Sequence, residues 1–180
     1  MTKTKIQKLT FSAIMIALSS VLSLIKVVQM PLGGSVTLLS MVPVCMIGIM
    51  YGTAYAILPC FVYGIIQIFL GQVFSWGLTP LSLIACIFID YILAYTSMSL
   101  SGLFRKNKKW GVFAGVALAC VARLAFHILS GRVLFASFEV FNNPLLYSVC
   151  YNGAYMLPEL VITCIGTFLL TKVKFFEKFS

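Results

Sequence analysis

The chain has 180 residues, 61% of them hydrophobic and 9% charged, and thirteen Lys and Arg against four Asp and Glu give a formal net charge of +9. A mean hydropathy of +1.06 is that of an integral membrane protein, and a chain of this length holds about six spans of ~20 residues with short loops. That leaves no room for a soluble catalytic module or an ATPase beside the spans, and the basic residues are grouped in short segments rather than on a nucleic-acid-binding face.

Six apolar segments follow one another. The first, about 9–28, comes after Lys3, Lys5 and Lys8. No small-x-small cleavage site closes it and further spans follow, so it reads as a retained helix and not a signal peptide. Ala13 and Ala17 give it a small-xxx-small face on which another helix can approach closely. In Met30-Pro31-Leu32-Gly33-Gly34-Ser35 the Pro and paired Gly forbid a continuous helix. The chain turns there as a surface hairpin loop or re-enters the membrane. The second segment, about 36–51, ends at a turn on Gly52, and the third covers about 53–71. The fourth, about 80–104, is followed by Arg105, Lys106, Lys108 and Lys109. The fifth covers 110–135, and the sixth about 147–173, with Lys172, Lys174 and Lys178 at its end.

An even number of spans puts both termini on one side. The three basic clusters then lie on that side, with Lys26 and Arg132 near the other face and Arg123 within the membrane. By the positive-inside rule both termini are cytoplasmic. The expected fold is thus an all-α integral membrane protein of six transmembrane helices, a single substrate-binding domain over 1–180. No internal repeat supports an inverted-repeat transporter. Cys45, Cys60, Cys86, Cys120, Cys150 and Cys164 form no CxxC and fall mostly in apolar runs, as small core residues rather than a metal site or disulfide set.

Ionisable groups inside a span are costly and normally face a cavity or a partner. Asp90 sits mid-span in the fourth segment, either to accept hydrogen bonds from a ligand amine or to neutralise Arg123 between helices. Arg123, His127, Ser130 and Gly131 lie at i, i+4, i+7, i+8 and line one stripe of the fifth helix. In the sixth, Ser148, Asn152, Tyr155 and Glu159 share a face. Asn152 offers both a donor and an acceptor to an aminopyrimidine edge. Tyr147, Tyr151 and Tyr155 fit either the site or an interfacial aromatic belt. Glu159, directly after Pro158, reads as an interhelical contact rather than a ligand group. With no HExxH, no phosphate-binding Gly loop and no nucleophile constellation, the polar groups form a pocket for a small planar polar molecule, without catalysis, metal or cofactor.

These residues are similar to those of a known family. Residues 30–36, Tyr63-Gly64 with Gln67 and Gly71, Asp90-Tyr91, Arg123 with His127 to Gly131, and Tyr147-Ser148 through Tyr151-Asn152 resemble, in order, the thiamine-specific S-components (ThiT/YuaJ family) of energy-coupling-factor (ECF) vitamin transporters. The resemblance implies a six-helix S-component bundle in the bacterial cell membrane that captures thiamine from outside. It implies that Asp90 binds the aminopyrimidine and that Tyr91 lies near the hydroxyethyl end. Arg123 would be a basic site residue, His127 would stand beside the rings, and Tyr147 and Asn152 would complete the pyrimidine pocket. Phe135 stands where some members stack a Trp, Gly34 where some carry a loop Trp, and Asp90 where some have Glu. Phe74 or Trp76 in the next loop would replace the loop Trp, with Gly34, Tyr63, Gln67 and Tyr151 gating or surrounding the site. Ala13 and Ala17 would contact the transmembrane subunit EcfT, and two cytoplasmic ATPase subunits would supply the energy. The alternatives are an S-component for another small ring vitamin, a stand-alone proton-coupled carrier using Asp90, His127 and Glu159, and a scaffold whose polar residues only fasten helices.

Overall fold

A computed structural model describes residues 4–106, 108–135 and 143–173. The first helix, α1, covers Lys5–Leu24. It opens with a capping box in which Thr4 and Gln7 satisfy each other's backbone N–H groups. It stops four residues before the expected end at 28. The chain then forms a two-stranded antiparallel hairpin of β1, Lys26–Gln29, and β2, Ser35–Thr37. This corrects the all-helical expectation for 26–28 and 36–40. Val27, Val28, Val36 and Thr37 are β-branched and fit a strand. Pro31 and Gly33, the latter at φ +94°, make the tight connection. Hydropathy alone reads the valines as more helix.

α2, Met41–Tyr51, is only 11 residues long. That is roughly 16 Å of helix against a hydrocarbon thickness of about 30 Å. Residues 41–50 are all buried, so α2 is a short helix enclosed by its neighbours. Gly52 turns the chain into α3, Thr53–Leu70. The connection that follows contains one 3-10 turn, Val73–Ser75. α4 covers Pro80–Gly102; Thr79 caps it by accepting from Ser82 N, and Pro80 takes the first position, where its missing N–H costs nothing. α4 is not uniform. It widens to a π-helical turn over Ile87–Leu93 and tightens to a 3-10 turn over Ser97–Gly102. α5, Lys108–Phe135, and α6, Pro144–Thr171, complete the bundle. Asn143 caps α6 by accepting from Leu145 N and Leu146 N.

Among the described residues, five helices are long and apolar enough to cross a membrane. Their outer faces carry large bare apolar side chains such as Leu9, Phe69, Leu81 and Leu157. A bundle that is apolar outside and satisfies its backbone within helices is what a bilayer requires.

The two ends of the bundle differ chemically. At one end Lys8 lies over the Tyr51 and Tyr55 rings, and Arg105 donates to Met50 O. At the other end lie the hairpin and the α3–α4 connection. Because α2 stops short, the hairpin, rather than a helix, fills the space at that end.

Candidate functional site

A cavity of about 370 Å³ opens beneath the hairpin, within the roughly 300–1,000 Å³ of small-molecule pockets. Every layer of the bundle end contributes. The hairpin supplies Gly33, Gly34 and Ser35, and the α3–α4 connection Gln72, Ser75, Trp76 and Leu78. Asp90, Tyr91 and Tyr95 come from α4, Arg123, His127 and Gly131 from α5, and Tyr151, Asn152 and Tyr155 from α6.

At its centre is a hydrogen-bonded His–Asp pair. His127 Nδ1 lies 3.0 Å from Asp90 Oδ1. Since a carboxylate only accepts, this nitrogen is the donor and Nε2 is the ring's other functional position. That Nε2 is buried and has no partner. The second carboxylate oxygen accepts from the Cys86 thiol at 3.3 Å. Asp90 and Tyr91 both reach the cavity from the π-helical turn, the kind of local widening that recurs at functional sites.

Arg123 sits one helical turn before His127. Its guanidinium lies 4.6 Å from the Tyr95 ring centroid, and Nη2 donates to the Tyr95 hydroxyl at 3.2 Å. Arg123 Nε is buried without a partner. Asp90 therefore pairs with His127, and the alternative in which it neutralises Arg123 does not hold.

Asn152 braces the opposite wall. Its amide nitrogen donates to His127 O at 3.2 Å and to Ser148 O at 2.9 Å, while Tyr155 OH donates to its Oδ1 at 2.8 Å. Ser148 Oγ donates to Ile128 O at 2.8 Å. These bonds tie α6 to the turn of α5 that carries His127, and leave one Oδ1 lone pair for a ligand. The roof is joined to the same helix: Gly34 N donates to Tyr151 OH at 3.0 Å, and Tyr151 OH donates to Pro31 O. A Cβ on Gly34 would come within 2.7 Å of the Tyr155 ring, and one on Gly33 within 2.6 Å of Trp76. Only glycine lets the roof sit this low over the aromatic side chains.

A family model described as thiamine transporter protein matches residues 9–177. The chain belongs to that thiamine transporter family. It is 30% identical over 173 residues to the thiamine transporter ThiT of Bacillus subtilis (strain 168), covering 88% of this chain and 86% of that protein. The solved structure of ThiT from Listeria monocytogenes matches with a TM-score of 0.79 at 23% identity, over 94% of this chain and 96% of the other. That likeness carries the fold. With its apolar helices, this family member is a multi-pass protein of the bacterial membrane.

The site residues expected from the sequence divide into two groups. Asp90, Tyr91, Arg123, His127, Asn152, Gly34, Trp76 and Tyr151 all line the cavity. Tyr147 does not; its ring stacks on Tyr151, with centroids 5.9 Å apart. Tyr63 is fully buried behind the wall, edge-on to Tyr95. Gln67 faces a smaller side chamber and donates to Ser23 Oγ. Phe74 is exposed and away from the cavity. Phe135 ends α5, and its side chain lies outside the described residues. Ala13 and Ala17 are exposed on α1, opposite the buried Ser12 and Ser19.

The cavity has further walls that sequence reasoning did not assign. Tyr95 is the largest, and its spacing of four from Tyr91 was the available signal. Gln72, Ser75 and Leu78 lie in a connection without periodicity and gave none.

Proposed function

We propose that this protein is the substrate-capture subunit of an ECF-type importer and binds thiamine in the cavity beneath the hairpin. The observation that carries this reading is the Asp90–His127 pair, with His127 Nε2 and Arg123 Nε buried and unsatisfied on residues that line a cavity walled by Trp76, Tyr91, Tyr95, Tyr151 and Tyr155. A flat aminopyrimidine offers N–H donors to the carboxylate and to the imidazole Nε2, and a thiazolium cation is suited to aromatic faces. Membership of the thiamine transporter family supports the ligand class. The basic end of the bundle faces the cytoplasm in this reading, so the cavity opens outward. The exposed Ala13/Ala17 face of α1 docks on EcfT, and two cytoplasmic ATPase subunits drive release.

A stand-alone proton-coupled carrier would need Glu159 in a relay with Asp90 and His127. The bonds of Glu159 run instead to Thr37 and Ser40, which favours the capture reading. The test is titration of the detergent-purified single chain with thiamine, followed by tryptophan fluorescence and calorimetry, with riboflavin and pyridoxine as controls. Saturable binding of thiamine alone, at nanomolar to low-micromolar levels, is expected. A folded chain that gives no thiamine signal in either assay overturns the assignment.

A further inference from the structure

The hairpin roof is fixed to α6 at two points of different character. At its tip, one half-buried phenol, Tyr151, holds the backbone of Pro31 and Gly34. At its root, the Glu159 carboxylate accepts from Thr37 N at 2.8 Å, Thr37 Oγ1 at 2.6 Å and Ser40 Oγ at 3.4 Å. This second attachment is sealed: Glu159, Thr37 and Ser40 are 3%, 7% and 0% exposed. Eight residues, roughly 12 Å of helix, separate Tyr151 from Glu159. Asn152 and Tyr155, between them, line the cavity.

The clamped corner is strained. Leu39, between Thr37 and Ser40, has φ +60° and is the one non-glycine with positive φ among the described residues. A leucine adopts that conformation only when its surroundings impose it. Glu159 holds the residues on both sides. Gly166, where an added Cβ would lie 2.7 Å from Leu39 Cδ2, provides the seat for the side chain. Beyond the corner, residues 41–50 of α2 are all buried and cannot follow a moving hairpin. A two-stranded ribbon is marginal on its own. Once the tip bonds open, residues 37–40 are therefore where the roof turns.

We propose that Glu159 is a positioning residue: it clamps the strained corner at residues 37–40 in its closed geometry and so sets how long the hairpin stays shut over the ligand. Glu159 does not line the main cavity. It faces a side chamber of about 80 Å³ that it shares with Arg123, so it acts on the ligand through the roof. Without the carboxylate, the Thr37 N–H and the Thr37–Ser40 hydroxyl pair, whose oxygens lie 2.5 Å apart, lose the acceptor that anchors them to α6, and Leu39 relaxes out of the left-handed region. The roof then favours open positions, and ligand leaves faster while still entering freely. The ligand in this inference is that of the capture reading; the hinge itself does not depend on it.

The experiment is stopped-flow Trp76 fluorescence of the full chain with thiamine, for wild type, Glu159→Gln and the milder Thr37→Val. Dissociation is expected to accelerate by ~10- to 100-fold in Glu159→Gln and less in Thr37→Val, with association within about threefold of wild type. Adding Leu39→Gly to Glu159→Gln should slow dissociation again, because glycine holds positive φ without a clamp. A purely structural carboxylate would not be rescued in this way. Unchanged dissociation in both single variants, or a loss confined to association, overturns the proposal. Amide exchange of the ligand-free chain tests the hinge separately. Faster exchange over residues 26–37 in Glu159→Gln, with α2 unchanged, is expected, and unchanged exchange overturns the hinge. If wild type binds no thiamine, the capture reading falls and the exchange result still decides the hinge.

Discussion

Replacing Asp90 with Asn tests the centre of the site. The substitution keeps the shape of the side chain and removes its charge. In the native site one carboxylate oxygen takes the His127 Nδ1 proton at 3.0 Å and the other the Cys86 thiol at 3.3 Å. A hydrogen bond to a charged group contributes about 1.5–3 kcal/mol. The loss of one such bond to a ligand amine raises Kd by roughly 10- to 150-fold. The same change also loosens His127, and a double-mutant cycle separates the two effects. If Asp90 touches the ligand, Asp90→Asn still weakens binding in a His127→Ala background. If it only orients the imidazole, the second substitution costs nothing further, and the coupling energy falls in the range of about 0.5–3 kcal/mol seen for contacting residues. Calorimetric titration with thiamine measures both. A single Asp90→Asn variant with wild-type affinity would refute the reasoning that makes this carboxylate the anchor.

Three further outcomes are expected. The chain has two tryptophans. Trp76 lines the cavity, whereas Trp110 is 84% exposed near the start of α5. Trp76→Phe should thus abolish the thiamine-dependent fluorescence change while calorimetry still detects binding; a retained signal would remove Trp76 from the site. Gly33→Ala places a Cβ against Trp76 in a backbone conformation at φ +94°, and should weaken binding by about 1–3 kcal/mol. Wild-type affinity in that variant would mean that the roof does not close as low as described. Ala17→Trp, on the exposed face of α1, should leave binding by the isolated chain intact and abolish uptake in cells that supply the partner subunits. Unimpaired uptake would sink the interface assignment.

The parts of the site that were legible in the sequence are those whose chemistry is out of place. Asp90, Arg123 and His127 are conspicuous because a charged group in an apolar span needs a reason. The helical periodicity then put Arg123 and His127 on one stripe. Their partners were harder to read. Arg123 and Asp90 are the obvious opposite charges, yet the rise of α5 brings His127 level with Asp90 and leaves Arg123 one turn away, over Tyr95. Tyr95 itself looks like core in a run of Ile, Leu and Ala. Tyr147 and Tyr151 illustrate the opposite limit. Both belong to the same Tyr-rich start of α6, but a spacing of four stacks one ring on the other, and only Tyr151 meets the cavity. The hairpin was hidden because valines satisfy a hydropathy window as well as leucines do. Only the Pro and Gly of residues 31–34 marked the break.

The short α2 explains why a cavity exists at all. A helix of full span in that position would carry its side chains to the end of the bundle and fill the space now roofed by the hairpin. At 11 residues it reaches about half the hydrocarbon thickness. The residues freed by its shortness form a hairpin whose backbone bonds are closed by β pairing, by Tyr151 and by Glu159. β1 is exposed along its length, while β2 is buried at Val36 and Thr37 and brings Ser35 to the cavity wall. The inner strand therefore lies over the cavity. The device that satisfies its backbone is therefore the same one that roofs the site, and substitutions that loosen the hairpin should change how ligand is held before they change whether the bundle folds.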